Sequence, residues 1–291
     1  MLQHLLKAQR KDGFLKKRIL TFSVLLVIVI SSLSLVSYAS PNSYGIGVSI
    51  EGNAFTGGID VKNSTTFVGI RKFATAMDYS ASVTYNAYTK TLTVKSSKLT
   101  LVATNGKSYI EANGRYLYTS TPVYMINGRM YAPVIVLAKA FDAKISWSNY
   151  TSSFNIVRGS GGILSGDKFY RSDEVYWLSK IISAEAKGEI MTGKIAVGNV
   201  ILNRVRSSSF PNTIYGVIFD KKNGVQFSPV ANGSIYANAT EDSIIASKIC
   251  LEGYTISSDI LYFVNPRVAP NSWVSRNRPF YAQIGNHAFY M

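Results

Sequence analysis

The stretch SDEVYWLSKIISAEAKGE, residues 172–189, decides how the C-terminal part of the chain folds. Its apolar residues recur every three or four positions, which is the spacing of one face of an α-helix. At about 100° per residue, Glu185 falls inside the arc of apolar residues, whereas Lys180, Ser183 and Ala184 fall on the opposite side. The pattern therefore predicts a helix that buries one carboxyl group and exposes its other polar residues.

Glu185 has two physical interpretations. Removal of a carboxyl group from water raises its pKa, and a carboxyl group that is protonated near neutral pH can act as the general acid of glycosidic cleavage. Alternatively, a basic partner such as Arg204 on the next predicted helix neutralises Glu185, because buried glutamates are usually paired. The helical pattern leaves both interpretations open.

Glu189 lies beyond Gly188, which ends the helical pattern and breaks the phase that would bring Glu189 to the same face. A solvated position at the helix end is its simplest interpretation. As a second carboxylate, Glu189 is also a candidate to hold a water molecule or a sugar hydroxyl.

The composition of the 291 residues excludes several kinds of site. One Cys and two His cannot form a Cys/His zinc cluster, and a single Cys cannot form an intrachain disulfide. We therefore expect no metal and no cofactor. The formal net charge is +15, and residues 41–164 contain twelve Lys or Arg against five Asp or Glu. No interleaved basic and aromatic motif indicates nucleic-acid binding, so this charge favours an anionic cell wall as partner.

The N-terminus has the pattern of an export signal. A basic segment precedes an uncharged apolar run over residues 19–36, and the small residues Ser37 and Ala39 follow. We expect a signal peptide over residues 1–39. The alternative is that the run stays in the membrane as an anchor. Both interpretations place the rest of the chain outside the cytoplasm.

An internal repeat organises the middle of the chain. The stretch FVGIRKFATAMDYSASVTYNAYTKTLTV from Phe67 aligns with YAPVIVLAKAFDAKISWSNYTSSFNIV from Tyr131, after a two-residue deletion in the second copy. Each copy predicts a helix, a strand, a turn and a strand. Three Asn-Gly steps between the copies indicate hairpins. A Gly- and Ser-rich stretch over residues 159–168 then predicts a short flexible linker.

Residues 45–158 resemble the copper amine oxidase N-terminal-like domain, most clearly in VYMINGRMYAPVIVLAKAFDAKISW. The resemblance implies an exported α+β module. It implies no copper here, since the sequence has no His between residues 5 and 286. Exposed Tyr and Lys side chains of this module are candidates to hold wall polymer. The alternative is an aromatic core with a solvated charged face.

The remainder of the chain resembles the SleB-type cell wall hydrolases, the spore-cortex-lytic family. The resemblance is carried, in order, by AEAKGE, GKIAVGNVILNRVRSSSFPNTIYGVIF, QFSPVANG, LYFVNP and IGNHAFY. It implies a mainly helical, lysozyme-like or lytic-transglycosylase-like domain over residues 169–291. The family's essential glutamate corresponds to Glu185, and the implied reaction closes the muramoyl sugar into a 1,6-anhydro product. A hydrolytic outcome, with Glu189 or another group holding water, stays open.

Further residues of the C-terminal part are candidates for substrate contact, because polar and aromatic side chains line sugar-binding clefts. Arg267, Arg276 and Arg278 of the tail are candidates to meet peptide carboxylates. His287 has a hydrogen-bonded structural role as its alternative. The candidates are Gln226, Ser228, Asn265, Trp273, Tyr281 and His287.

The sequence thus predicts an α+β chain that is exported to the cell wall or spore envelope and cleaves peptidoglycan glycan strands. Two other functions remain open. One is a wall-binding or structural protein that keeps the fold without activity. The other is an amidase or peptidase that pairs Cys250 with His287, although no nucleophile motif surrounds Cys250, which is more simply a buried apolar residue.

Overall fold

The structure, a computed structural model, describes residues 45–222 and 224–291. The predicted export signal over residues 1–39 lies outside these residues. Within the described part of the chain, no helix is long and apolar enough to span a membrane.

The N-terminal region, residues 45–158, consists of thirteen strands and two short helices. In chain order they are β1 (Gly47–Ile50), β2 (Asn53–Ala54), β3 (Ile59–Lys62), β4 (Thr65–Gly69), α1 (Ile70–Met77), β5 (Ser82–Asn86), β6 (Thr91–Lys95), β7 (Thr100–Thr104), β8 (Tyr109–Ala112), β9 (Arg115–Tyr118), β10 (Tyr124–Ile126), β11 (Arg129–Pro133), α2 (Val134–Ala140), β12 (Lys144–Ser148) and β13 (Ser153–Val157). The three sheets have the orders β12-β13-β1-β2, β10-β11-β4-β3 and β5-β6-β7-β8-β9. Only the β1–β13 pair is parallel.

The repeat and the hairpins are confirmed. The first copy forms α1, β5 and β6, the second forms α2, β12 and β13, and in each copy the two strands pair antiparallel. The steps Asn113-Gly114 and Asn127-Gly128 connect β8 to β9 and β10 to β11. All four of these residues have positive φ, as a two-residue hairpin turn of type I′ requires.

The C-terminal region, residues 169–291, is mainly helical and ends in a small sheet of order β14-β16-β15. Its elements, with a short helix that begins just before it, are α3 (Gly166–Phe169), α4 (Ser172–Ala186), α5 (Met191–Arg206), α6 (Ile214–Ile218), α7 (Ser228–Ala231), a 3₁₀ helix (Ser234–Tyr236), α8 (Glu241–Leu251), β14 (Tyr262–Val264), α9 (Trp273–Asn277), β15 (Phe280–Ile284) and β16 (His287–Tyr290). The predicted α+β class is confirmed, with a strand-rich N-terminal region and a helical C-terminal region.

The helix α4 is buried on more sides than its sequence predicts. Lys180 and Ser183, which were expected to be exposed, are both 7% exposed. Lys180 donates hydrogen bonds from Nζ to the carbonyl oxygens of Tyr236 (3.1 Å) and Ala237 (2.7 Å). The prediction fails because α5, α8 and the 3₁₀ helix all pack against α4, and backbone groups satisfy its polar side chains.

The segment 159–168 is packed, so the prediction of a flexible linker is wrong. Ile163 is buried in the hydrophobic core of the N-terminal region. Asn113 donates from Nδ2 to the carbonyl oxygen of Ile163 (2.9 Å), and its own carbonyl oxygen accepts from the amide of Gly166 (2.8 Å). A Cβ atom at Gly162 would lie 2.3 Å from the carbonyl oxygen of Lys98. The glycines therefore permit close backbone contact rather than mobility.

A buried ion cluster joins the two regions. Glu252, which follows α8, accepts hydrogen bonds from Arg115 Nε (2.6 Å) and Nη2 (2.8 Å), from Lys139 Nζ (3.0 Å) and from the Tyr170 hydroxyl (2.8 Å). Beside the cluster, the rings of Tyr118 and Tyr254 lie 4.0 Å apart between centroids. Contacts of both polar and aromatic kinds thus fix the N-terminal region against α8.

Candidate active site

A cavity of about 950 Å³ lies at the C-terminal end of α4. Its wall combines the end of α4, the end of α5 with the loop that follows it, the start of α7, β14 with the loop that follows it, α9 and one residue of β16. Its lining includes Glu185, Arg204, Phe210, Gln226, Phe227, Ser228, Tyr262, Phe263, Asn265, Trp273, Arg278 and His287. A cavity of this size and mixed polarity is typical of a ligand-binding cleft.

Glu185 contributes a half-buried carboxyl group to this cavity. Burial raises the pKa of Glu185 to about 7, because a charged carboxylate is poorly solvated there. No described residue donates a hydrogen bond to this carboxyl group or forms an ion pair with it. A large fraction of Glu185 is therefore protonated at neutral pH, and the proton faces the cavity.

Arg204 also lines the cavity but does not neutralise Glu185, so the alternative of an Arg204–Glu185 ion pair is wrong. The Arg204 guanidinium is enclosed by three rings, with its carbon 4.8 Å from the centroid of Phe210, 5.3 Å from that of Phe227 and 5.2 Å from that of Tyr262. Its Nε donates to the carbonyl oxygen of Leu261 (2.8 Å).

The burial of Arg204 has an electrostatic consequence. The residue is 5% exposed, and its Nη1 has no hydrogen-bond partner among the described residues. Burial lowers the pKa of Arg204 to about 10, which leaves the group charged at neutral pH. The cavity thus contains a cation that no described acid pairs with.

Glu189 is tied to the C-terminal hairpin and does not line the cavity. Its carboxylate accepts from the amide of Asn286 (3.1 Å) and from Asn286 Nδ2 (2.9 Å). Its side chain is 7% exposed, so the expectation of a solvated helix end is wrong. Gly285 has φ +61°, and a Cβ atom there would lie 1.9 Å from a Glu189 carboxylate oxygen. The backbone of the β15–β16 turn thus encloses the carboxylate.

The pKa of Glu189 differs in direction from that of Glu185. Burial by itself would raise the pKa of Glu189, but the hydrogen bonds from Asn286 and the nearby charges of His287 and Lys194 outweigh burial and hold the pKa below its usual value. Glu189 is therefore an ionised structural carboxylate. Sequence spacing could not reveal this, because its partner is 97 residues away along the chain.

Most of the other predicted contact residues meet at the cavity. Gln226, Ser228, Asn265 and Trp273 line it together with Glu185, although they come from four separate segments. Tyr281 does not line it, and the Tyr281 hydroxyl instead donates to the carbonyl oxygen of Ile256 (3.3 Å).

His287 lies at the inner wall of the cavity. Its ring meets that of Phe263 edge to face, with centroids 5.3 Å apart. Burial lowers the pKa of His287, against the opposing effect of Glu189, whose Oε1 lies 3.7 Å from His287 Nδ1. Cys250 is fully buried in the hydrophobic core and does not line the cavity, and burial raises the pKa of its thiol. The pairing of Cys250 with His287 is therefore wrong.

Tyr262 of the cavity wall is not among the residues that the sequence singles out, whereas its neighbours Trp273 and Arg278 are. The Arg278 guanidinium carbon lies 4.7 Å from the centroid of Tyr262 and 5.0 Å from that of Trp273. Tyr262 therefore contacts both Arg204 and Arg278. The signal was present in LYFVNP, where an aromatic pair begins a strand, but the alternation did not show which side chain faces the cleft.

Comparison with known protein families gives two matches. Residues 188–290 match the family described as Cell Wall Hydrolase, and residues 55–156 match the Copper amine oxidase N-terminal domain. The first match begins just after Glu185 and includes the other cavity residues of the C-terminal region.

Curated relatives and a solved structure are similar to the C-terminal region. A spore cortex-lytic enzyme of Bacillus cereus is 37% identical over 120 residues, which is 41% of this chain and 45% of the relative. A spore cortex-lytic enzyme of Oceanobacillus iheyensis is 35% identical over 139 residues, 48% of this chain and 45% of the relative. The chain thus spans less than half the length of these relatives.

The solved catalytic domain of the germination-specific lytic transglycosylase SleB from Bacillus anthracis is 35% identical. The similarity covers 44% of this chain and 100% of that domain, with a TM-score of 0.38. On the two family matches, residues 188–290 form a Cell Wall Hydrolase domain, and residues 55–156 form a copper amine oxidase N-terminal-like domain.

Proposed function

We propose that the C-terminal region cleaves the glycan strands of peptidoglycan between N-acetylmuramic acid and N-acetylglucosamine, with Glu185 as acid and base. One observation carries this proposal. The carboxyl group of Glu185 faces a cavity of about 950 Å³, has no partner among the described residues and has a pKa of about 7. A general acid is most effective when its pKa lies near the working pH.

In the proposed reaction, protonated Glu185 donates its proton to the glycosidic oxygen as the bond from that oxygen to the muramoyl C1 breaks. The leaving N-acetylglucosamine thus departs with a neutral hydroxyl group. The Glu185 carboxylate then accepts the proton of the muramoyl C6 hydroxyl, whose oxygen bonds to C1. The product is a 1,6-anhydro sugar, and Glu185 is protonated again without a water molecule entering the product.

The position of Glu189 favours this route over hydrolysis. Hydrolysis by a pair of carboxylates needs a second carboxylate beside the sugar, as nucleophile or as base for water. Glu189 lies outside the cavity and is held by Asn286, and no other Asp or Glu is among the described residues that line the cavity. We therefore propose a lytic transglycosylase with a single acid.

The remaining cavity residues are proposed to hold the glycan. Trp273 is 55% exposed and offers a face for a sugar ring, while Gln226, Ser228 and Asn265 offer hydrogen-bonding groups. The relatives are named as spore cortex-lytic enzymes, and we propose wall or cortex peptidoglycan as the substrate class here. Arg204 and Arg278 make the cavity suitable for anionic groups of such a polymer.

We propose further that the chain is exported through residues 1–39, as a cleaved signal or a membrane anchor, and acts in the cell wall or spore envelope. Residues 45–158 and 169–291 are proposed as its domains, joined by residues 159–168. The N-terminal domain would then orient the catalytic domain on the wall.

Product analysis tests the reaction. The full chain, purified in mild detergent because of its apolar N-terminal run, would be incubated with peptidoglycan, and the released fragments would be analysed by mass spectrometry. We expect 1,6-anhydro-muropeptides. Fragments with reducing ends would instead mean hydrolysis, released peptides would mean an amidase, and wall binding without release would mean a structural protein.

A further inference from the structure

A second cavity, of about 310 Å³, lies in the N-terminal region, far along the chain from Glu185. Arg71 and Lys72 of α1 line it, together with Arg129 of β11 and Tyr85 of β5. We call it the basic groove. None of the described residues that line it is acidic, and its volume lies at the lower end of the roughly 300 to 1,000 Å³ usual for ligand pockets.

The cations of the basic groove lack acidic partners. None of Arg71, Lys72 and Arg129 forms an ion pair with a described residue. Arg71 donates from Nη1 to the carbonyl oxygen of Val83 (2.7 Å), which fixes its guanidinium and leaves other donors available. Three exposed cations around one concavity attract an anion.

The second copy of the internal repeat shows whether the fold requires cations at the positions of Arg71 and Lys72. In the second copy, the positions of Arg71 and Lys72 are occupied by Ile135 and Val136, at the start of the equivalent helix α2. The helix, strand, turn, strand unit therefore forms without cations at these positions. The pair of charges in the first copy is thus not needed for folding.

The bottom of the basic groove is apolar. Leu92 and Met130 are nearly fully buried beneath it, Met125 is partly buried, and the Tyr85 hydroxyl lies 4.0 Å from the Met125 sulfur. Apolar surface under cations suits a ligand that combines methyl groups with a carboxylate. A polyol phosphate chain has the charge but would leave the apolar surface unused.

We propose that the basic groove binds short peptides with alanine-like side chains and a free C-terminal carboxylate. The Arg71 and Arg129 guanidinium groups would pair with the carboxylate, since arginine matches carboxylate geometry with two parallel hydrogen bonds. The methyl groups would contact Leu92, Met125 and Met130. The stem peptides of peptidoglycan have this chemistry, so the choice of ligand rests on the proposed function.

Calorimetric titration of the full chain tests the proposal. The probes are acetyl-L-Lys-D-Ala-D-Ala, the same peptide with a C-terminal amide, and poly(glycerol phosphate). We expect the free acid to bind at least about tenfold more tightly than the amide, because the amide loses a charge-assisted pair. Equal binding of acid and amide, preference for poly(glycerol phosphate), or no binding of the free acid would overturn the proposal.

Variants locate the binding. The double substitution R71I/K72V copies the second repeat and should stay folded, with peptide affinity lowered by about tenfold or more. The exposed Arg129 side chain forms no ion pair with a described residue, so Arg129→Gln should weaken binding while the thermal unfolding temperature is unchanged. The control K95Q/K98Q removes two exposed charges outside the groove and should bind like the parent.

If the peptide affinity is unchanged in both R71I/K72V and Arg129→Gln, the peptide binds elsewhere and the proposal that the basic groove binds it is refuted. This result is separable from failure of the proposed function, because calorimetry measures binding without glycan cleavage. If the chain cleaves glycan but does not bind the peptide, only the proposal that the basic groove binds peptide is contradicted. A chain that binds the peptide but cleaves nothing would contradict only the proposed reaction.

Discussion

The cavity around Glu185 and the interface around Glu252 place a carboxyl group in the same local position with opposite results. Each glutamate lies at the C-terminal end of a helix, Glu185 within the last turn of α4 and Glu252 just after α8. The helix dipole disfavours negative charge at this end. Burial raises the pKa of Glu185 to about 7. Burial acts in the same direction on Glu252, but hydrogen bonds from Arg115, Lys139 and Tyr170 outweigh it and lower its pKa.

The difference shows that burial alone does not define the chemistry of a carboxyl group. Four hydrogen bonds keep Glu252 ionised, with its side chain 3% exposed, and make it a connection between the two regions. Glu185 has no such partners among the described residues and keeps its proton. The first arrangement suits stability, and the second suits proton transfer.

The substitution Glu185→Gln, which removes the unpaired acid, should have the largest effect, and the effect should be on activity. Glutamine keeps the shape of the side chain but has no proton to donate, so peptidoglycan cleavage should fall by roughly 10²- to 10⁴-fold, the usual contribution of general acid–base catalysis. Release of soluble fragments over time measures this. Calorimetric titration should still show glycan binding.

Glu174→Gln is the matched control, because Glu174 lies on the same helix with its side chain 38% exposed and away from the cavity. This variant should cleave at the parental rate. If Glu185→Gln cleaves peptidoglycan as fast as the parent does, Glu185 is not the acid.

In contrast to Glu185→Gln, the substitution Glu252→Gln should lower the stability of the protein and change the rate of glycan cleavage little. Removing one partner of a buried ion pair typically costs about 3 to 5 kcal/mol in the free energy of unfolding. The Arg115 side chain, which is only 8% exposed, would lose its ion-pair partner and remain as an unpaired buried charge. Urea unfolding measures the loss, and cleavage assays below the unfolding midpoint measure activity.

Lys139→Gln provides the graded control for Glu252. The Lys139 side chain is 46% exposed, so its removal should cost no more than about 1 kcal/mol. A Glu252→Gln protein as stable as the Lys139→Gln protein would show that the cluster does not hold the regions together.

The pH dependence of stability should also separate the two glutamates. The pKa of Glu185 is raised in the folded state from 4.5 to about 7, so folding is progressively disfavoured as pH rises from about 4.5 to 7. Glu185→Gln should therefore gain stability over the parent across this window and show little difference at pH 4. Glu252 has a lowered folded pKa, so its contribution should be present above pH 4.5 and lost as pH falls. Thermal unfolding from pH 4 to 8 checks both signs, and a Glu185→Gln gain that shrinks between pH 4.5 and 7 would contradict the first.

The fold was largely predictable because its signals are local. Asn113-Gly114 and Asn127-Gly128 indicate hairpins, the internal repeat indicates helix, strand, turn, strand, and the period of α4 indicates its face. What could not be predicted depends on partners far along the chain. The helical pattern predicts an exposed Lys180, because no local signal shows that the carbonyl oxygens of Tyr236 and Ala237 accept hydrogen bonds from its ammonium group.

The candidate site, like the fold, has a part that local sequence signals predict and a part that depends on distant segments. The phase of one helix was enough to single out Glu185. It could not show that Arg204 is enclosed by aromatic rings and leaves Glu185 unpaired, since Phe227 and Tyr262 come from other segments. The role of Glu189 was missed for the same reason.

The smallest expected effect is that of Glu189→Gln, which distinguishes a positioning residue from an acid. The two hydrogen bonds from Asn286 go to different carboxylate oxygens. Glutamine replaces one of these oxygens with an NH2 group, which cannot accept, so the free energy of unfolding should fall by about 1 to 2 kcal/mol. The negative charge of Glu189 raises the pKa of His287, so NMR titration should show a further lowering of the His287 pKa in this variant. Cleavage should fall by less than about tenfold, because the cavity acid is intact and only the wall near His287 shifts. A loss as large as that of Glu185→Gln would mean that both glutamates take part in the chemistry, and a reaction with a single acid would no longer describe the site.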